Sequence, residues 1–178
     1  DGKIITAGPI QSNRIPQVKH RDYSAQQLLQ NAELAAELTN GYQATIYLAP
    51  GDYHRVHSPL QAEVLSITHI PGALFPVNPG AVESVPELFP RNERVVFHLR
   101  LPTGKSAAVV MVSALNVGDT LVTASVGQTL NLGDELGQFG FGSTAIVVTP
   151  QTGPRIPELP REHRVWMGAA LEANSSNS

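Results

Sequence analysis

The chain has 178 residues, a formal net charge of −3 at pH 7 and no cysteine. Without cysteine it can hold no disulfide, zinc–thiolate site, iron–sulfur cluster or thiol nucleophile. The low charged fraction of 15% offers no basic patch for nucleic acid. No apolar run approaches the ~20 residues of a membrane-spanning helix. The length favours one domain that folds without a metal or a disulfide.

Short apolar–polar alternations separated by glycine, proline and aspartate turns predict about eight short strands, most clearly at 42–48, 64–70, 95–99 and 107–112. Ser24 is a suitable N-cap, and apolar residues at helical spacing predict one clear helix near residues 24–39. The sequence therefore predicts a mainly β fold, of the α+β class with few helices. Short antiparallel strands and hairpins would form a compact single domain over residues 1–171. The polar run at 172–178 is typical of a disordered tail.

A glycine precedes a serine at Gly142-Ser143, just before a β-branched stretch, which places the pair at the mouth of a strand. The glycine carbonyl is unhindered beside a hydroxyl that can reach it. If a base removes the serine proton, the hydroxyl can attack that carbonyl and turn the peptide into an ester. Elimination would then break the chain and leave dehydroalanine, which hydrolyses to a pyruvoyl group. Most such tripeptides, however, are only strand starts or turns.

Two histidines, His54 and His57, follow the turn at residues 49–52. Because the segment leaves a turn and enters a strand, the two rings need not share a face. One interpretation is an exposed histidine next to a core histidine. The other is a general base next to a second acid or cation, since imidazole exchanges protons near neutral pH.

Five segments carry a family resemblance, and they are Asp1-Gly2, residues 47–59 (YLAPGDYHRVHSP), Val77-Asn78, residues 88–95 (LFPRNERV) and residues 141–144 (FGST). The runs DYHRVH and RNER are each specific. In content and order these segments resemble the phosphatidylserine decarboxylases. The resemblance extends from Asp1 to about Leu171, which is nearly the whole chain.

The resemblance implies a pyruvoyl enzyme that is made as a proenzyme and cuts itself before the serine of its Gly-Ser-Thr motif. The cut would fall between Gly142 and Ser143, giving a β chain of residues 1–142 and an α chain of residues 143–178. The cofactor would be covalent pyruvate formed from Ser143. No metal is implied.

The resemblance also implies site residues and a reaction. Asp1, His57 and Ser143 would form the self-cleavage triad, with His57 as base and Asp1 holding its imidazole. His54 matches the family position tied to decarboxylation. The reaction would convert phosphatidylserine to phosphatidylethanolamine and CO₂ through a Schiff base on the pyruvoyl group.

Further expectations concern the substrate and the partners. Leu74, Phe75, Asn78 and Phe89 are candidate substrate contacts, although ordinary packing explains such residues equally well. The β and α chains would be partners of each other, and the family implies a homodimer and peripheral association with a membrane. The chain itself has the composition of a soluble protein, and no nucleic acid partner is expected.

Two alternatives remain open at the level of sequence. The stretch between Val110 and Gly137 is shorter than in the family's bacterial membrane enzymes, which leaves room for a soluble amino acid, such as an aromatic one, as substrate. The other alternative is an uncleaved, non-catalytic scaffold that binds lipid or a protein partner. A hydrolase acting on other proteins fits least, because the serine follows its own scissile glycine.

Overall fold

The computed structural model describes residues 1–18, 20–114, 120–140 and 142–171, where it has thirteen strands and four short helices. The tail expected at 172–178 lies outside the described residues. The strands are β1 (Gly2–Pro9), β2 (Arg14–Val18), β3 (Arg21–Ser24), β4 (Tyr42–Leu48), β5 (Arg55–His57), β6 (Ala62–Ile70), β7 (Arg94–Arg100), β8 (Ser106–Val112), β9 (Leu121–Val122), β10 (Thr129–Leu130), β11 (Glu135–Gln138), β12 (Ser143–Thr149) and β13 (Arg164–Val165). The helices are α1 (Ala25–Leu29), α2 (Ala32–Glu37), α3 (Pro79–Ser84) and α4 (Leu88–Arg91).

Most strands join one eight-stranded sheet in the order β10-β6-β7-β8-β12-β4-β1-β13, and every neighbouring pair in it is antiparallel. A three-stranded sheet, β5-β11-β9, and the hairpin β2-β3 complete the described strands. The predicted mainly β, antiparallel fold is therefore confirmed. The strand predicted at 42–48 has the bounds of β4.

The two faces of the large sheet are covered by different elements. Helices α1, α2 and α4 cover one face, where Leu28, Leu34 and Phe89 belong to the same buried hydrophobic cluster as Val110 of β8. The three-stranded sheet covers the other face through residues such as Leu136. All seven residues of β8 and of β12 are buried, because both strands lie inside the sheet between these two layers.

Several strands begin or finish side by side at one end of the sheet. Ser143, the first residue of β12, pairs with Leu48, the last residue of β4. Its neighbour Thr144 pairs with Val112, the last residue of β8. In the same way the start of β1 lies opposite the end of β4. The segments that carry Asp1, His54 and Gly142 therefore adjoin the sheet at the same end.

The helix predicted near residues 24–39 is divided in two, which corrects the sequence-based expectation. Gln30 adopts a left-handed conformation (φ 47°, ψ 33°) and ends α1, and Asn31 caps α2 by accepting a hydrogen bond from the Leu34 amide at 3.0 Å. In a continuous helix the carbonyls of Gln27 and Leu28 would accept from residues four positions later. Here both carbonyls accept hydrogen bonds from the guanidinium of Arg94 instead.

Arg94 is almost fully buried, at 1% exposure, and its hydrogen-bond partners among the described residues are all backbone carbonyls. Its nitrogens lie 2.7 Å from Leu28 O, 2.9 Å from Gln27 O, 2.7 Å from Pro90 O and 2.9 Å from Asn92 O. Burial lowers the pKa of Arg94 to about 10, so the guanidinium remains charged at neutral pH. This side chain ties the end of α1 to α4 and to the start of β7.

We predict that Arg94→Met lowers the free energy of unfolding by about 2–4 kcal/mol, because it leaves buried carbonyls without donors. Urea unfolding followed by circular dichroism measures this change. The matched control is Arg91→Met, which removes an exposed guanidinium that lies 4.7 Å from the centroid of the Phe75 ring. The control should lose less than about 1 kcal/mol. Equal losses in the two variants would contradict the structural importance of Arg94.

Candidate active site

The junction between Gly142 and Ser143 combines unusual backbone with an unusual hydroxyl. Gly142 has φ +51°, a left-handed conformation that residues with a side chain adopt at a cost of about 1–2 kcal/mol. Ser143 is fully buried, and its hydroxyl has no hydrogen-bond partner among the described residues. Buried hydroxyls are normally paired. The neighbouring Thr144 hydroxyl and the Tyr23 hydroxyl also lack a partner among the described residues, and Ser143 differs from them in following Gly142 directly. The predicted position of this pair at the mouth of a strand is confirmed.

His54 contacts this junction directly. Its Nε2 accepts a hydrogen bond from the Gly142 amide at 2.9 Å, and its Nδ1 lies 2.6 Å from the carbonyl oxygen of Asp52. A carbonyl can only accept, so Nδ1 carries the proton and Nε2 is the acceptor. The His54 carbonyl in turn accepts from the Phe139 amide at 3.0 Å, which fastens the histidine loop to the segment that leads into Gly142.

Two hydrogen bonds between Ala49 and Asp52 close the turn that precedes His54. The Asp52 amide donates to the Ala49 carbonyl at 2.8 Å, and Asp52 Oδ2 accepts from the Ala49 amide at 2.9 Å. The Asp52 side chain is 6% exposed, and its Oδ1 forms an ion pair with Arg164 at 3.0 Å. The turn after β4 is thus bound to β13, which lies next to β1 at the edge of the sheet.

His57 has other partners. It lies in β5 opposite Glu135, its Nδ1 donates to the Gly133 carbonyl at 2.7 Å, and its Nε2 accepts from the Tyr53 hydroxyl at 2.8 Å. The Tyr53 and His57 rings are also stacked, with centroids 5.6 Å apart and planes 12° apart. Both ring nitrogens of His57 are therefore occupied by groups outside the predicted triad.

The carboxylate of Asp1 likewise binds elsewhere, since its Oδ1 accepts from the Met167 amide at 2.8 Å. The structure therefore brings His54, rather than His57, to the Gly142–Ser143 junction, and it does not join Asp1 to His57. The triad of Asp1, His57 and Ser143 stays a prediction.

The predicted substrate contacts divide into two groups. Phe89 is 0% exposed and packs edge-on against Tyr23 at 6.0 Å, which gives it a place in the core, and its role as a substrate contact stays a prediction. Asn78 caps α3 by accepting from the Ala81 amide at 3.0 Å, which is a structural role. Leu74 is exposed and Phe75 half-buried, and both follow β6 at the sheet edge that carries Ser143.

Within the ranges that the structure describes, no group of three or more histidines, aspartates and glutamates is placed to hold a metal ion. The helices in those ranges are too short or too polar to cross a bilayer.

A family described as phosphatidylserine decarboxylase matches residues 1–173. The chain belongs to the phosphatidylserine decarboxylase family. The resemblance inferred from the five sequence segments is thereby confirmed.

Curated relatives of the phosphatidylserine decarboxylase family agree with this assignment. A phosphatidylserine decarboxylase proenzyme of Xylella fastidiosa strain M23 is 38% identical over 189 residues, which cover 96% of this chain and 64% of the relative. The proenzyme of Psychrobacter arcticus is 39% identical, with 96% and 67% covered. That of Methylobacillus flagellatus is 44% identical over 172 residues, with 85% and 61% covered. The chain thus spans 61% to 67% of the length of these three relatives.

Sequence reasoning missed three side chains at the candidate site, namely Asp52, Tyr53 and Arg164. The first two lie inside the DYHRVH run, so the run itself was the available signal. Arg164 lies in a segment without a motif, and its partner Asp52 is 112 residues away in the chain. No local pattern predicts such a contact.

We predict that His54 and His57 both carry their proton on Nδ1 in the uncut chain, because Nδ1 of each ring faces a backbone carbonyl. Imidazole ¹⁵N chemical shifts measured on a Ser143→Ala variant, which keeps the chain intact, report the tautomer. Tyr53→Phe is the matched control, because it removes the hydroxyl on Nε2 of His57 and leaves His54 unchanged. A proton on Nε2 of either ring in the Ser143→Ala chain would contradict the geometry.

Proposed function

We propose that this chain is the catalytic part of a self-cleaving, pyruvoyl-dependent decarboxylase that acts on phosphatidylserine. The observation that supports this most is the unpaired, buried Ser143 hydroxyl at a left-handed glycine whose amide is held by His54. The relatives carry the words phosphatidylserine decarboxylase proenzyme in their names, which agrees with a chain that is made in a precursor form.

The proposed cut begins with transfer of the Ser143 proton to a histidine. Ser143 Oγ attacks the Gly142 carbonyl carbon, and the C–N bond of that peptide breaks to give an ester and a free amine. Removal of the Ser143 α-proton then breaks the Cβ–Oγ bond, so Gly142 leaves as a carboxylate. The dehydroalanine that remains takes up water and releases ammonia to become the pyruvoyl group. Because the attack is intramolecular, positioning can supply effective molarities of ~10⁵–10⁸ M.

The residues present fit a pyruvoyl group at position 143. Ser143 is covered from solvent, and no residue competes for its hydroxyl in the described part of the chain. When present, the group supplies the electron sink for loss of CO₂ from an amine substrate. His54 would remain within reach, where it could contact the substrate carboxylate or return a proton after CO₂ leaves.

The two histidines have different support as the base of the cut. The family resemblance assigns that role to His57, with Asp1 holding the imidazole. For this, His57 Nε2 has to leave the Tyr53 hydroxyl, because that nitrogen is occupied in the uncut chain. The geometry makes His54 a second candidate, since its Nε2 lies at the cleavage junction and accepts from the Gly142 amide at 2.9 Å. To take the Ser143 proton, that nitrogen would also have to leave its present donor. We retain His57 as the proposed base and assign His54 to decarboxylation.

The fold supports a cut that leaves the protein assembled. Ser143 is the first residue of β12, so a break before it leaves that strand whole. β12 is hydrogen-bonded to β8 on one side and to β4 on the other, and both of these strands belong to the proposed β chain of residues 1–142. The α chain of residues 143–178 would therefore stay in place as an internal strand.

The proposed substrate and partners follow the family. Phosphatidylserine is the substrate that the relatives' names contain. We also propose peripheral contact with a membrane and a homodimer as family properties. The alternatives are the same pyruvoyl chemistry on a soluble amino acid, and an uncleaved scaffold. Decarboxylation assays with lipid and with free amino acids distinguish the first alternative from the proposed function. A chain that does not cleave itself would identify the second alternative, the scaffold.

We predict that the purified chain gives two masses that divide between Gly142 and Ser143. The smaller species should have no free N-terminal amine and should gain two hydrogens on borohydride reduction, because a ketone is reduced to an alcohol. Intact-mass spectrometry measures both changes, and gel filtration should keep the two species together. Ser143→Ala, the control, should give one uncut mass. A single unreactive mass for the natural chain would overturn the proposal.

We predict different outcomes for the two histidines. His57→Ala should slow or stop the cut, because the proposed base is lost. His54→Ala should still cut but lose decarboxylase turnover. The cut is followed by mass and turnover by CO₂ release, with circular dichroism as the check on folding. A folded His54→Ala chain that remains uncut would transfer the role of base to His54.

A further inference from the structure

A cluster of exposed apolar side chains borders the candidate site. Tyr53 is 40% exposed, Leu132 72%, Trp166 56% and Met167 45%. We call these four side chains the apolar rim. Large side chains exposed together, unlike single ones, indicate a surface that binds something.

Direct contacts connect the rim to the site. Tyr53 stacks on His57 and donates to its Nε2, and His57 donates to the carbonyl of Gly133, the residue after Leu132. A methyl group built on Gly133 would lie 3.9 Å from Met167 Cε. The segment of Tyr53 and His57, the turn at Leu132 and the segment after β13 therefore lie next to one another.

Met167 is in turn held at the sheet edge, because its amide donates to Asp1 at the start of β1. The rim consequently combines side chains from both sides of the proposed cut. Tyr53 and Leu132 belong to the proposed β chain, whereas Trp166 and Met167 belong to the α chain.

Carboxylates neutralise the arginines around the rim. Arg164 lies 5.0 Å from the centroid of the Trp166 ring and forms an ion pair with Asp52. Arg55, beside Tyr53, forms an ion pair with Glu135 at 2.7 Å. Asp1, which accepts from the Met167 amide, and Asp134, which follows Gly133, add two further carboxylates beside the rim. The surface is therefore not cationic, and it suits a zwitterionic head-group layer, where a tryptophan next to an arginine is favourable, better than an anionic one.

We propose that the apolar rim docks on the surface of a phospholipid bilayer, with Trp166 at the level of the head groups. The proposal rests on the proposed function, because the acyl chains of phosphatidylserine lie in a bilayer while its serine head group has to reach Ser143. Tyr53 precedes His54 in the chain, and Arg164, which contacts Trp166, binds Asp52 in the turn that carries His54. A docked rim therefore turns the His54 end of the sheet toward the lipid surface. A second copy of the chain bound there would cover the approach to His57 instead.

The net charge of the chain predicts how its binding depends on the charge of the lipids. The formal net charge is −3, so a negatively charged bilayer offers no general attraction. Binding through the rim should therefore be driven by apolar contact and should be similar on phosphatidylcholine vesicles with and without phosphatidylserine.

Trp166 is the one tryptophan in the sequence, so its fluorescence reports on the rim alone. We predict a shift of its emission to shorter wavelength on addition of phosphatidylcholine vesicles, and quenching when the lipids are brominated near the head group. Unchanged emission with both kinds of vesicle would overturn the proposal. A shift that depends on protein concentration without vesicles would overturn it in favour of a second copy.

Variants sharpen the test. Leu132→Ser combined with Met167→Ser should lower the vesicle partition coefficient, measured by co-sedimentation, at least about tenfold. Val126→Ser is the matched control, because Val126 is 63% exposed but lies outside the rim, in the turn before β10. The control should bind as the natural chain does. Equal binding by all three proteins, with unchanged circular dichroism, would overturn the role of the rim.

A second readout separates this proposal from the proposed function. The Leu132→Ser, Met167→Ser chain should still cut itself and decarboxylate a short-chain phosphatidylserine dissolved as monomers, while losing turnover on vesicles. Equal losses on both substrates would contradict a docking role. If the natural chain neither cuts nor turns over, the proposed function fails, and the Trp166 emission still decides whether the rim binds lipid.

Discussion

The pairing of β12 with β8 and β4 is the constraint on which the candidate site depends. Both faces of β12 are buried and both of its edges are hydrogen-bonded, so its first residue has no freedom to move along the sheet. A shift of one residue would exchange the two faces of the strand, placing core side chains in the wrong layer. The register therefore fixes Ser143 at the end of the sheet where the segments that carry Asp1 and His54 also lie.

Two features at this end of the sheet are energetically unfavourable, and the rest of the fold holds them in place. A buried hydroxyl without a partner costs about 1–3 kcal/mol, and a left-handed residue at position 142 requires glycine to avoid further strain. Such costs persist where the surroundings over-determine the conformation. Here the surroundings are the paired strands, the hydrogen bond from the Gly142 amide to His54, and the turn that Asp52 closes by accepting from the Ala49 amide.

Two buried polar side chains support the loops beyond the site. Arg94 binds the carbonyls that end α1 and those around α4, at the start of β7. Asn92, which is 0% exposed, holds both backbone groups of Phe75 and also the carbonyl of Ser113, which follows β8. Both residues belong to the RNER run. Its specificity in the sequence therefore has a structural reason, which is the connection of loops to the strand edge.

The sequence by itself determined the fold class, strands such as β4, and the Gly142-Ser143 pair at the mouth of β12. These features follow from local pattern, because side chains alternate along a strand and glycine tolerates special backbone angles. Only the tertiary structure decided that Arg94 divides the predicted helix, that Phe89 is core, and that His54 rather than His57 contacts Gly142. Each of these depends on partners tens of residues away, and the spacing of residues in the chain carries no information about such contacts.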